Sequence, residues 1–147
     1  MAAAPVAVID VLNSLLEAEL NSVFRFMDEG SPYLSRATVE VRRPLAEMVE
    51  TNHRHAGELS DLIESLGGYP VPRSLRPEEQ YLAFLSLKFL LPKLAQEKQL
   101  TIERYENALR AIGAGRDDVK RVLRSHIATH RAQLEILNKA ADAARAK

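Results

Sequence analysis

Four long stretches of this chain carry apolar side chains at alternating spacings of three and four residues, and each apolar row is broken once by an ionisable group. In residues 6–29 the row reads Val8, Leu12, Leu15, Glu19, Ser22, Phe26. In residues 36–66 it reads Val41, Leu45, Met48, Asn52, His55, Leu59, Leu62, Leu66. Residues 77–112 give Leu87, Leu90, Leu94, Glu97, Thr101, Ala108, Ile112, with Arg104 and Tyr105 sharing the step before Ala108. Residues 117–144 give Leu123, Ile127, His130, Leu134, Leu137, Ala141. This spacing places each row on one face of a helix, so the expected class is all-α, a four-helix bundle with the rows turned inward. A lone buried charge costs several kcal/mol even after relaxation. Glu19, His55, Glu97 and His130 are therefore expected to share one polar centre at mid-bundle.

The breaks between helices order the bundle. Gly30 and Pro32 make a turn, Gly67-Gly68 is a C-cap signal, and "GAGRDD" separates the last two helices. Pro44 and Pro92 fall inside helices as candidate kinks. The remaining connector, "GGYPVPRSLRP", carries three prolines. At about 11 to 14 residues it spans roughly 35 to 45 Å when extended, the length of a bundle helix. One long crossover with the middle two helices parallel is the expected topology. The 147 residues suit a single domain burying about two-thirds of its surface.

Composition narrows the chemistry. With no cysteine, disulfides and thiolate ligands are excluded, so any metal must be held by His, Asp or Glu. The start "MAAAPVAVIDVL" lacks the basic region of a signal peptide, and "YLAFLSLKFLLPKL" is too short and too charged to span a membrane, which predicts a cytoplasmic protein. Net charge is zero, with acid in excess over the first third and base over the last; that is too diffuse for nucleic acid. "YLAFLSLKFLL" is apolar nearly all round, more than one bundle row needs, and a homodimer is expected to cover its spare face.

The stretches "LNSLLEAELNSVFRF", "HAGELSDLIESLGGYP", "LAQEKQLTIERYENAL" and "HRAQLEIL" together resemble the ferritin-like superfamily, nearest its bacterioferritin branch, over essentially the whole chain. The Gly-Gly turn region is the most specific match. That family's di-iron site takes a Glu from each of two helices and a Glu-x-x-His from each of the other two. The resemblance implies Glu19 and Glu97 as terminal carboxylates and His55 and His130 as imidazole ligands. Asn52, Tyr105 and His126, by their positions beside these residues, are candidates to support them, His126 as a third imidazole or an edge-of-core ring and Tyr105 as a core tyrosine bonded to a carboxylate. Glu103 competes with Glu97 but lies off the row. Asn52 and Ile127 stand where the two bridging glutamates belong.

Two divalent ions bring four positive charges, which the family offsets with four carboxylates; two glutamates balance one ion. The expected load is a single Fe²⁺, Zn²⁺ or Mn²⁺, and ferroxidase chemistry is disfavoured. A literal Glu-x-x-His, Glu50 to His53, lies off the inward row. His53 occupies the place where the resembled family carries a haem-ligating Met, but a surface or interface His is the commoner use, so haem is disfavoured. No short fifth helix follows, which disfavours a large iron-storing shell. The rival is a metal-free bundle acting as a dimeric interaction or stress protein, with Glu19 bonded to His55 and Glu97 to His130.

Overall fold

The computed structural model describes residues 5–20, 39–71 and 87–145. They form α1 (Pro5–Leu20), α2 (Val39–Ser65), α3 (Leu87–Ile112) and α4 (Asp117–Arg145), with no strand among them. The expected continuation of the first helix, with Ser22 and Phe26, the Gly30-Pro32 turn, most of the connector and the start expected at Pro77 lie outside the described residues. Pro44 and Pro92 are carried within α2 and α3, each near the helix start. α4 opens on Asp117 and Asp118, where two carboxylates meet the positive end of the helix dipole.

The main contacts run from α1 to α2 and α3, and from α4 to α3 and α2, so α1 faces α4 and α2 faces α3 across the diagonals of a four-helix bundle. The core divides into two apolar clusters. One joins Val8, Leu12, Leu15 and Leu16 of α1 to Leu59 and Ile63 of α2, Ile102 to Ile112 of α3, and Val119, Leu123 and Ile127 of α4. The other joins Leu45, Met48 and Val49 of α2 to Leu90, Leu91 and Leu94 of α3 and Leu137 and Ala141 of α4. Both α2 and α3 therefore run from the second cluster to the first, and α4 runs back. The middle helices are parallel, the arrangement expected for a bundle with one long crossover.

α2 closes on a Schellman cap, in which the Gly68 amide donates to the Ile63 carbonyl and the Gly67 amide to that of Glu64. Gly67 sits at φ 83°, a left-handed conformation that suits glycine. Gly68 is needed for space: a Cβ there would meet three Ile9 side-chain atoms of α1 at 2.8 to 3.0 Å. Just beyond, the Asn13 amide donates to the Tyr69 carbonyl at 3.2 Å and its oxygen accepts from the Val71 amide at 2.7 Å. The end of α2 is thus fastened to α1. Gly68→Ala is expected to lower stability by about 1–3 kcal/mol through overpacking, read as a lower urea midpoint at unchanged slope.

Candidate metal centre

Between the two apolar clusters lies a layer of buried polar side chains: Glu19 from α1, Thr51, Asn52 and His55 from α2, Lys98 from α3, and His126, His130 and Gln133 from α4. Glu19 is its hub. Oε1 accepts from Asn52 Nδ2 at 2.6 Å; Oε2 accepts from His55 Nδ1 at 2.9 Å, His130 Nε2 at 2.7 Å and the Tyr105 hydroxyl at 2.6 Å. The two ring nitrogens stand 3.3 Å apart because both aim at one oxygen. Burial by itself pushes the Glu19 carboxyl up, but the hydrogen bonds from His130 and His55 outweigh it and hold the group well below the usual carboxylate range. Four donors on one ionised carboxylate satisfy it completely.

α3 differs from the expectation. The inward side chain on that turn is Lys98, 2% exposed, whereas Glu97 is half-buried and is not among the donors that converge. A row stepping from Leu94 by four residues instead of three, through Lys98, Ile102 and Tyr105, follows the buried face. A step of four misses the helical repeat by about 40° and a step of three by about 60°, so both fit a helix and the smaller error wins here. Lys98 Nζ donates to His130 Nδ1 at 3.1 Å and to Gln133 Oε1 at 2.8 Å; Gln133 Nε2 passes the chain to Thr51 Oγ1 at 2.9 Å. Burial lowers the Lys98 ammonium to about 8, against the opposing pull of Glu19 and Glu97, so it remains charged at neutral pH. The expected pairing of Glu97 with His130 gives way to Glu19 holding both histidines.

On the other side of Glu19, His126 stacks on His55 with ring centres 3.6 Å apart and planes within 10°. Its Nδ1 lies 2.9 Å from the Tyr105 hydroxyl and its Nε2 lies 3.4 Å from Glu58 Oε1. Burial and the neighbouring His55 lower the His126 pKa to about 3, and burial lowers that of His130 despite the pull of Glu19, so both rings are neutral at physiological pH. Tyr105 is raised by burial first and by Glu19 second, and stays protonated. His53 is exposed, as expected for a residue off the row.

Two groups of donor atoms lie within 4.8 Å of one another: Glu19, His55 and His130 inside, and His55, Glu58 and His126 toward the surface. His55 belongs to both. A two-His, one-carboxylate set is a common grip for a borderline divalent ion. Ile127 offers no ligand, Asn52 offers an uncharged amide whose buried Oδ1 has no hydrogen-bond partner, and the Lys98 ammonium already brings a positive charge to the layer. Lys98 and Glu58 were not anticipated. Glu58 was legible as the second half of a His-x-x-Glu on α2, and Lys98 as the neighbour of Glu97 on the better helical step.

No known protein family's profile matches the sequence, and no curated protein is similar to it at a significant level. Among solved structures the chain is similar to a Dps1 mutant of Mycobacterium smegmatis, with a TM-score of 0.76 at 14% identity, covering 93% of this chain and 96% of that one. At that identity the likeness is one of fold, and the fold is ferritin-like. Among the described residues no helix is long and apolar enough to cross a membrane.

Proposed function

We propose that this chain is a ferritin-like metal-binding protein holding one divalent cation at a histidine-rich centre around His55, with a degenerate di-iron-type arrangement that does not support oxidase chemistry. The observation that carries this reading is the convergence of Glu19, His55 and His130, and of His55, Glu58 and His126, each within 4.8 Å. Imidazole and carboxylate together suit Zn²⁺, Fe²⁺ or Mn²⁺. Such an ion, when bound, would act as a clamp between helices and as a Lewis acid. The protein's own part is to keep the layer dry and to fix the rings: Glu19 orients His55 and His130, and Tyr105 orients His126.

Elemental analysis of protein purified without a histidine tag should find about one ion per chain, and none in His55→Gln, which removes the residue common to both donor groups. Two ions per chain would overturn the mononuclear reading. None in the wild type would favour the metal-free bundle, for which the complete hydrogen bonding of the Glu19 carboxylate speaks directly. We also propose a homodimer, on the apolar character of residues 81–91; sedimentation equilibrium tests it.

A further inference from the structure

Asn52 is satisfied at one end only. Its side-chain nitrogen donates to Glu19 Oε1 at 2.6 Å, while its oxygen, Oδ1, is buried and meets no hydrogen-bond partner among the described residues. Turning the amide over does not relieve this. Glu19 Oε2 accepts from His55, His130 and the Tyr105 hydroxyl, three donors that favour the ionised carboxylate. A carboxylate oxygen 2.6 Å away then calls for the N–H end of the amide, and Oδ1 is the end left over. Roughly nine in ten buried polar atoms in folded proteins are paired, so a stranded amide oxygen points to a donor that is not a protein side chain.

The same residue walls a small cavity. Between α1 and α2 a space of about 10 Å³ is lined by Glu19, Leu20, Val49, Asn52 and His53. A cavity needs roughly 10–15 Å³ and two or more polar partners to hold one water. This one stands at the lower limit of size, with no room for a second water or an organic ligand. It also has the partners. Asn52 Oδ1 is one acceptor, and Glu19 Oε1, which among the described residues accepts only from Asn52 Nδ2, is the other. A bare cation wants a fuller shell of oxygen donors than these two. Val49 is apolar and buried, Leu20 is apolar and half-buried, and His53 is exposed on α2, so the space lies just beneath the surface.

We infer that this cavity is a hydration site: one ordered water donates to Asn52 Oδ1 and Glu19 Oε1, beneath a port rimmed by His53 through which it exchanges with solvent. Asn52 then holds the carboxylate with its nitrogen and the water with its oxygen. The water sits at the edge of an otherwise sealed layer, where Glu19, itself 1% exposed, comes within reach of solvent. The site stands whether or not an ion binds around His55, since Asn52 is in neither group of converging metal donors.

Two measurements on the unloaded, tag-free full chain test the site. A high-resolution crystal structure should show one fully occupied water within hydrogen-bond reach of both Asn52 Oδ1 and Glu19 Oε1. In solution, the Asn52 side-chain N–H protons should give a cross-peak at the water frequency with the NOE sign of a long-lived bound molecule. Val49→Ile adds a carbon to the cavity wall and should weaken that cross-peak by at least about fivefold, because the space then falls below the size of a water. A dry cavity in the crystal, or no cross-peak in the wild type, overturns the proposal. So does a cross-peak that persists unchanged in Val49→Ile, which would come from an exchanging hydroxyl instead. If Val49→Ile fails to fold, the wild-type crystal structure decides alone.

Discussion

Glu19→Ala is expected to destabilise the chain by about 3–5 kcal/mol, enough to unfold a domain of ordinary stability at room temperature. The side chain is buried, and removing it orphans four donors at once: Asn52 Nδ2, His55 Nδ1, His130 Nε2 and the Tyr105 hydroxyl. It also leaves the Lys98 ammonium in the core without its principal counter-charge. The effect should be strongly coupled to Lys98. In a double-mutant cycle Glu19→Leu with Lys98→Met should cost much less than the sum of the single changes, since removing both takes two opposite charges out of one buried layer. Urea unfolding of the four proteins at pH 7 measures this. Additive losses would mean that Glu19 and Lys98 do not share one electrostatic unit.

Acid should undo the fold well before ordinary carboxylate titration is complete. His126 is held to about 3 when folded, against its ordinary 6.5. Between those values the unfolded chain binds a proton that the folded chain refuses, so stability falls as pH falls through this window. From pH 7 to pH 4 this one ring contributes a loss of about 3 kcal/mol. His130, also lowered, acts in the same direction. Glu19 adds to it from below its ordinary 4.5, because its folded pKa is depressed and the stability it confers above 4.5 is lost as pH drops toward the folded value. Urea midpoints should therefore decline steadily from about pH 6.5 downward. His126→Gln should flatten the upper part of that slope. An unchanged profile in that variant would show that the ring is not a neutral, buried group.

The path from sequence to structure was clear where residue type and helical spacing agreed. Val8, Leu12, Leu15 and Glu19 form the buried row of α1 as spaced, and His55 and His130 lie inward as their rows require. It failed on α3, where the row meets Glu97 and Lys98 side by side. Neither a carboxylate nor an ammonium is at home in a core, so hydropathy offers no preference between them. A carboxylate answers the demand for a ligand, which favours Glu97 in the sequence, whereas the fold buries Lys98 and leaves Glu97 half-buried. On α2 the row drifts in the same way: Ile63 is buried where Leu62 was expected, because real helices turn by 3.6 residues and accumulate the difference. The identity of each partner lay beyond reach for another reason. That Glu19 holds both histidines, and that Lys98 closes a chain through Gln133 to Thr51, depends on how four helices meet, which no single helix encodes.

The polar layer between the two apolar clusters also works as an alignment key. Sliding any one helix by a single turn, about 5.4 Å along the axis, would drop its polar member into hydrocarbon. Lys98 would land among the leucines of one cluster or the other, without Gln133 or a charge to meet it. Leucine rows on their own tolerate such slips, because one methyl contact replaces another. Here the cost of every misregistered bundle is a stranded ion, so this sequence selects its own stacking whether or not a metal ever enters.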